Sequence, residues 1–280
     1  FAAIDGIRAV AVSSVVIFHA FPHLLPGGFV GVDIFFVISG FLITGVIVKG
    51  LKQNTFSFRD FYFRRAKRIL PSLIVVLTFT LFVSWAIDFN KEFKAVAKHV
   101  FAGTTFLSNF LLQQESGYFD LEANTKPLLH LCSLAVEEQY YVAFPLIMFF
   151  AFKKRISMLL TTLTLLAISL ATCIYLTPTH PSIAFYYPTS RIWEILAGAT
   201  LFLILERKSQ TGQNTAPEIV RKRTKTSTLA FASLLTLLVT FFVYSSSLKF
   251  PGWYATVPVL ATVGLIASTQ LAESPVKSLL

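Results

Sequence analysis

The stretch from Gly28 to Val48, GFVGVDIFFVISGFLITGVIV, contains a single ionisable residue, Asp33, and stops at Lys49. An apolar run of about 17–25 residues is the length a helix needs to cross a hydrocarbon core of about 30 Å. Working outward, comparable runs occupy about 7–22, 69–87, 96–112, 131–152, 156–176, 191–205, 228–244 and 254–270. The composition agrees: of 280 residues, 55% are hydrophobic and only 14% charged, with mean hydropathy +0.68. A water-soluble domain of this size spreads Lys, Glu and Asp over its whole surface, whereas here they sit in short blocks between the runs. The expected fold is all-α, a polytopic transmembrane helical bundle whose first partner is the lipid bilayer. Aromatic residues at 15% exclude a disordered chain. Cys132 and Cys173 lie inside apolar runs, which excludes a disulfide scaffold or a thiolate metal domain, and no metal site is expected.

The net charge of +10, from 24 Lys and Arg against 14 Asp and Glu, reads as membrane topology and gives no reason to expect a nucleic acid partner. Three basic blocks should face the cytoplasm: Lys49 to Arg68, Lys153-Lys154-Arg155, and Glu206 to Lys225, the last inside a loop drawn at 206–227. The segment from Gln113 to Lys126, with Glu115, Asp120 and Glu122, should lie outside. Two runs separate the inside block ending at Arg68 from this outside segment, and two crossings would return the chain to the same side. The weaker run is 96–112, preceded by Lys98 and His99 and interrupted by Gly103, Thr104, Thr105, Ser108 and Asn109, so it is expected to be re-entrant or interfacial. About eight crossings then remain, with both ends of the chain inside; the alternative is nine crossings with one basic block outside. The first run carries Arg8 at its edge and has no small-residue cleavage site, so it reads as a permanent helix. The start at Phe1 suggests a piece of a longer protein.

Ionisable groups within apolar runs cost several kcal/mol unless paired or facing water, which makes each a functional hypothesis. Arg8 and His19 are eleven positions apart, nearly the same helix face, separated by about 16 Å along the axis. Asp33 enters the second run from its outer end, Glu137 and Glu138 occupy the outer part of the fifth, and Arg191 and Glu194 open the seventh. These groups converge on one outer pocket. Blander roles compete with each: a carbonyl-bonded or interfacial imidazole for His19, a helix-dipole partner for Asp33, a local ion pair for Arg191 and Glu194. Glu137 and Glu138 point about 100° apart, so one can face the pocket while the other pairs with Arg191 or a tyrosine hydroxyl. His23, His99, His130 and His180 fall in or beside loops and read as interfacial, and His130 directly precedes the polar run. The segment from Arg59 to Pro71, RDFYFRRAKRILP, reads as a juxtamembrane anchor or as a grip for a phosphorylated cytosolic ligand through Arg65 and Arg68.

These motifs resemble the acyltransferase-3 family of bacterial membrane O-acyltransferases. The resemblance rests on Ile4 to Ala11 with Val15 to His19, on Gly27 to Ile43, on Phe61 to Pro71, on His130 to Tyr141 and on Arg191 to Ala199, and it covers nearly the whole chain. It implies a multi-pass enzyme of the bacterial inner (plasma) membrane. Such an enzyme moves an acyl group, usually acetyl, from cytoplasmic acyl-CoA to hydroxyls of an envelope glycan such as lipopolysaccharide O-antigen or peptidoglycan. Acyl-CoA is then a co-substrate, with no permanently bound cofactor. Arg8 and His19 match the family's Arg-ten residues-His signature, and Arg65 and Arg68 its Arg-x-x-Arg motif. Two departures stand out: Cys132 occupies a position commonly held by Trp, and the chain stops after Glu273-Ser274-Pro275, before the closing helices and the outer SGNH-type domain of many longer members.

For this chemistry the expected catalytic residues are His19 as general base, Glu137 or Glu138 to orient it, and Arg8 toward the donor or the developing charge. Arg65 and Arg68, with Arg64, would hold coenzyme A phosphates, and Asp33, Arg191, Glu194 and Ser133 would shape the acceptor pocket. A covalent acyl-His19 intermediate and direct transfer both fit these residues. The rival function is a transporter or flippase of an envelope glycan intermediate, using the same buried groups as a proton relay; a non-catalytic scaffold leaves them unexplained.

Overall fold

Two helices that touch backbone to backbone set the geometry of the bundle. In the computed structural model, which describes residues 2–116, 126–210, 216–245 and 247–271, α2 (Gly31–Lys52) lies along α9 (Pro188–Gln210). A methyl group at Gly40 would fall 1.7 Å from the carbonyl oxygen of Ile195, and one at Gly198 would fall 1.9 Å from that of Val37. Small residues at such crossings let transmembrane helices approach closely enough for dispersion to hold them. The 3₁₀ turn Gly28–Val30 before α2 is equally tight. Gly28 and Gly31 meet Ser14 of α1 (Ala2–Ala20), and Gly27 donates its N–H to the Phe241 carbonyl of α10 (Ala216–Val243) at 2.8 Å.

The other elements are α3 (Phe58–Ile87), α4 (Asn90–Thr104), α5 (Ser108–Glu115), α6 (Leu131–Lys153), α7 (Met158–Thr179), α8 (Pro181–Tyr186) and α11 (Thr256–Leu271), with no strand among the described residues. This is an all-α polytopic helical bundle. Helices α1, α2, α3, α7 and the α8–α9 segment are long and apolar enough to cross a membrane. Helix α6, 23 residues long, is interrupted by Glu137-Glu138-Gln139, and α10 and α11 carry shorter apolar stretches, Ser227–Val243 and Thr256–Gln270. Large apolar side chains point outward along α1 (Val12, Val16, Ile17) and α3 (Ile74, Val75, Phe79), as they must where the solvent is lipid.

The run at 96–112 is not one helix. Thr105 to Leu107 break it into α4 and α5, with Phe106 at a φ of 54°, and neither piece has the length to span. The two are held by a polar cluster: Glu115 Oε2 lies 2.9 Å from His99 Nε2 and 3.1 Å from Lys126 Nζ, with Lys98 Nζ 3.5 Å from Oε1. His99 is thus a buried partner of Glu115 where the sequence suggests an interfacial ring.

Two boundaries need correction. Helix α3 begins at Phe58, eleven positions before the apolar run at Ile69, because Ser57 caps it by accepting the Asp60 N–H at 3.3 Å. The segment 206–227 drawn as a loop is largely helical, α9 reaching Gln210 and α10 starting at Ala216. Asp120, Glu122 and Glu273 to Pro275 lie outside the described residues.

Helix α3 pairs antiparallel with α6 through long side chains in a continuous register. Phe58 meets Phe149 with ring centroids 5.3 Å apart, the Tyr62 hydroxyl donates to the Val142 carbonyl at 3.0 Å, and Leu73 and Leu77 pack with Leu128 and Leu131.

Two outcomes test this packing. Gly40→Ala and Gly198→Ala should each destabilise the detergent-solubilised protein by on the order of 1–3 kcal/mol, while Val46→Ala on the outer face of α2 should change its melting temperature little. Burial raises the Glu115 pKa, but Lys126, His99 and Lys98 together lower it below the ordinary 4.5. A depressed carboxyl stabilises the fold above its unfolded pKa and loses that contribution as pH falls through the folded one. Glu115→Gln should therefore lower the melting temperature at neutral pH, by about 1 kcal/mol or less, and the gap to wild type should close at pH values below the carboxyl range.

Candidate functional site

The ends of five elements enclose a cavity of about 430 Å³. The last turn of α1 contributes Val15, Phe18 and His19, and the start of α2 contributes Val32, Phe35 and Phe36. The first turns of α6 contribute Cys132, Ser133 and Val136 after His130, and Phe185 and Tyr186 of α8, with Arg191 of α9, form the far wall. Leu248 and Phe250, between α10 and α11, complete it. The surface is mostly aromatic and aliphatic with a few polar groups, the usual make-up of a small-molecule site. It lies at the end opposite to Lys52, Lys153-Lys154-Arg155 and Arg207.

His19 stands at the rim. Its Nδ1 is 2.9 Å from the Val15 carbonyl oxygen, one helical turn back. A carbonyl only accepts, so Nδ1 carries the proton and the neutral ring keeps its lone pair on Nε2. The edge of Phe18, 5.2 Å away between centroids, packs against the ring. The role that the sequence assigned to Glu137 or Glu138, orienting His19, is filled by this main-chain oxygen.

Behind the cavity wall, Arg191 reaches Asp33 across the α2–α9 contact at 3.0 Å and Glu194 on its own helix at 2.8 Å. Asp33 and Glu194 are both 0% exposed and Arg191 is 4% exposed. The pairs are close without being aligned as hydrogen bonds: both oxygens of each carboxylate and Nη1 of Arg191 are buried with no hydrogen-bond partner among the described residues. The guanidinium carbon sits 5.5 Å from the Phe36 ring centre and 5.6 Å from those of Phe185 and Phe250, which adds cation–π attraction in a dry setting. The structure brings His19, Ser133 and Arg191 to one cavity, with Asp33 and Glu194 as the support of Arg191, while Glu137 and Glu138, expected to converge with them, do not line it.

Glu137 and Glu138 lie deeper, at the α3–α6 contact. Arg65 Nη2 is 3.4 Å from Glu138 and 3.9 Å from Glu137, and its guanidinium lies 3.7 Å over the Tyr141 ring. Glu137 also accepts from the hydroxyls of Ser39 and Tyr141. The charge of Arg65 is therefore engaged by carboxylates, while Arg64 and Arg68 are exposed, so the three arginines do not form one grip. Arg8 pairs with Asp5 at 3.3 Å near the opposite end of α1 and does not line the cavity. At the basic end, Lys52 meets Glu206 at 2.8 Å beside a smaller hollow of about 290 Å³ that Arg207 also lines.

Residues 1–278 match the family model described as an acyltransferase domain. An uncharacterized protein of Haemophilus influenzae is 38% identical over 247 residues, which is 85% of this chain and 98% of that protein. A putative peptidoglycan O-acetyltransferase of Bacillus subtilis is 31% identical, covering 83% of this chain and 38% of its own length. A peptidoglycan O-acetyltransferase of Listeria monocytogenes is 34% identical, covering 72% of this chain and 33% of its own. The chain therefore spans little more than a third of these two named relatives. No solved structure matches. A chain matched along almost its whole length by this model, with its buried arginines, carboxylates and rim imidazole on the helices described above, belongs to the acyltransferase-3 family of membrane O-acyltransferases.

Proposed function

We propose that this domain transfers an acetyl group from cytoplasmic acetyl-CoA to a hydroxyl of a cell-envelope polysaccharide at the outer face of a bacterial inner membrane. The observation that carries the reading is His19 at the rim of the 430 Å³ cavity, its tautomer set by the Val15 carbonyl so that Nε2 is the basic nitrogen. In the reaction, Nε2 takes the proton of the acceptor hydroxyl as its oxygen attacks the acyl carbonyl. The C–O ester bond forms, the bond to the leaving group breaks, and for a thioester the sulfur departs with the electron pair. The aromatic wall suits the apolar faces of sugar rings, and the names of the relatives favour peptidoglycan over lipopolysaccharide O-antigen as acceptor. We assign the exposed Arg64 and Arg68 of α3 to coenzyme A phosphates. Arg65 holds α3 to α6 and positions them.

In membranes containing the full-length protein, transfer of label from radiolabelled acetyl-CoA to glycan should fall by about 100-fold or more in His19→Ala at unchanged protein level. Near-normal transfer by that variant would remove His19 from the chemistry. Arg68→Ala should raise KM for acetyl-CoA with little change in kcat. Arg65→Ala should instead destabilise the protein by about 3 kcal/mol, since it strands buried carboxylates, and Glu138→Gln in the same chain should recover part of that loss.

A further inference from the structure

His130 is the one imidazole besides His19 that lines the cavity, and the reaction as written leaves it without a task. It precedes α6 by one residue, and with Ser133 and Val136 it follows the three-residue spacing of a single helical stripe, so the start of α6 turns it to the same space as the rim of α1. Its carbonyl accepts from the Ser133 hydroxyl at 3.0 Å, while its ring has no hydrogen bond among the described residues. The fixed ring of His19 poses a problem that this placement answers. Because Nδ1 of His19 is tied to the Val15 carbonyl, a proton taken on Nε2 leaves from Nε2 itself, and His130 lines the same cavity.

We propose that His130 is a second acid–base residue of this cavity, accepting the proton that His19 removes from the acceptor hydroxyl and passing it to water at that end of the bundle. The inference rests on the acyl-transfer reading above. Protons and electrons balance: the hydroxyl proton goes to His19, then His130, then water, while the leaving group keeps the electron pair of the bond it loses. The other titratable or charged groups around the cavity serve the relay poorly near neutral pH. Arg191 stays protonated, Asp33 is committed to Arg191, and Cys132 and Tyr186 ordinarily titrate well above neutrality; Lys249, in the segment that closes the cavity, is a permanent cation. Although His130 is exposed at the rim, packing around the ring and, secondarily, the charge of His19 lower its pKa, which favours onward release of a proton to water.

The test compares wild type, His130→Gln and His19→Ala in the full-length protein, measuring acetyl transfer across pH with and without added imidazole. His130→Gln should lower kcat roughly 10- to 100-fold at unchanged KM and unchanged melting temperature, and imidazole should restore much of the loss. Its acid limb should move, because only one imidazole then remains in the cavity. Wild-type rates at every pH overturn the relay and leave the acyl-transfer reading standing. A loss that imidazole does not restore, with the acid limb unmoved, also overturns it, marking His130 as structural. No transfer by folded wild type would overturn the underlying reading itself.

Discussion

A guanidinium inside an apolar bundle must be matched by carboxylates, and the Arg191 cluster is the constraint on which the rest of this molecule depends. Removing one member of such a buried set leaves an uncompensated charge, at a cost of about 3–5 kcal/mol. Meeting the requirement dictates the packing. Asp33 can approach Arg191 within 3.0 Å only because α2 and α9 touch at Gly40 and Gly198, where any side chain would collide with a carbonyl. That contact fixes the starts of α2 and α9 against each other, and those starts form two walls of the cavity. The glycines and the charges are therefore one device, and the Gly27-Gly28 turn extends it by seating α1 and α10 beside α2.

A second set, Arg65 with Glu137 and Glu138, repeats the ratio of one cation to two carboxylates at another depth. Here the helices stand further apart and meet through Tyr62, Arg65 and Tyr141 rather than through glycine. Helix α6 links the two levels: its first turns carry His130, Ser133 and Val136 to the cavity, and the next turn turns Glu137 and Glu138 toward α2 and α3. A shift of α3 would therefore be transmitted along α6 to the cavity wall.

The bundle and the placing of His19 and Arg191 at one end were legible in the sequence because both follow from depth. Each residue sits a short distance from the same end of an apolar run, and run lengths are set by the bilayer. That 96–112 does not form one spanning helix was legible for a related reason, since Gly103 to Asn109 offered too little apolar surface for a crossing, although its splitting into two helices was not. Of the partners of Glu137 and Glu138, a tyrosine hydroxyl was anticipated and Tyr141 supplies it, but Arg65 was not. The apolar run was drawn from Ile69, which left Arg65 outside the membrane; the Ser57 cap starts the helix at Phe58 and carries Arg65 to the depth of Glu138. Hydropathy marks where a helix becomes apolar, whereas capping marks where it begins. The contact of His99 with Glu115 joins positions on two short helices across a bend, and no periodicity records it. The His19 tautomer escaped for another reason: it depends on a main-chain oxygen that every residue carries.

The division between the two ends of the bundle bears on how the proposed reaction proceeds. Arg8 and His19 are separated by about 16 Å of helix, and Lys52, Lys153 and Arg207 gather at the end of the bundle away from the cavity. Phosphates gripped there cannot accompany the acyl group to His19, because the cavity wall offers apolar rings and an arginine already matched by two carboxylates. A neutral acyl thioester arm meets no such barrier. The arrangement thus favours a donor whose charged head stays at one end while its acyl terminus extends along the bundle, and it places the charge changes of the chemistry at the other end. There a proton can reach water without crossing the dry interior, which is why the imidazoles at that rim, rather than the buried carboxylates, are the groups suited to move it.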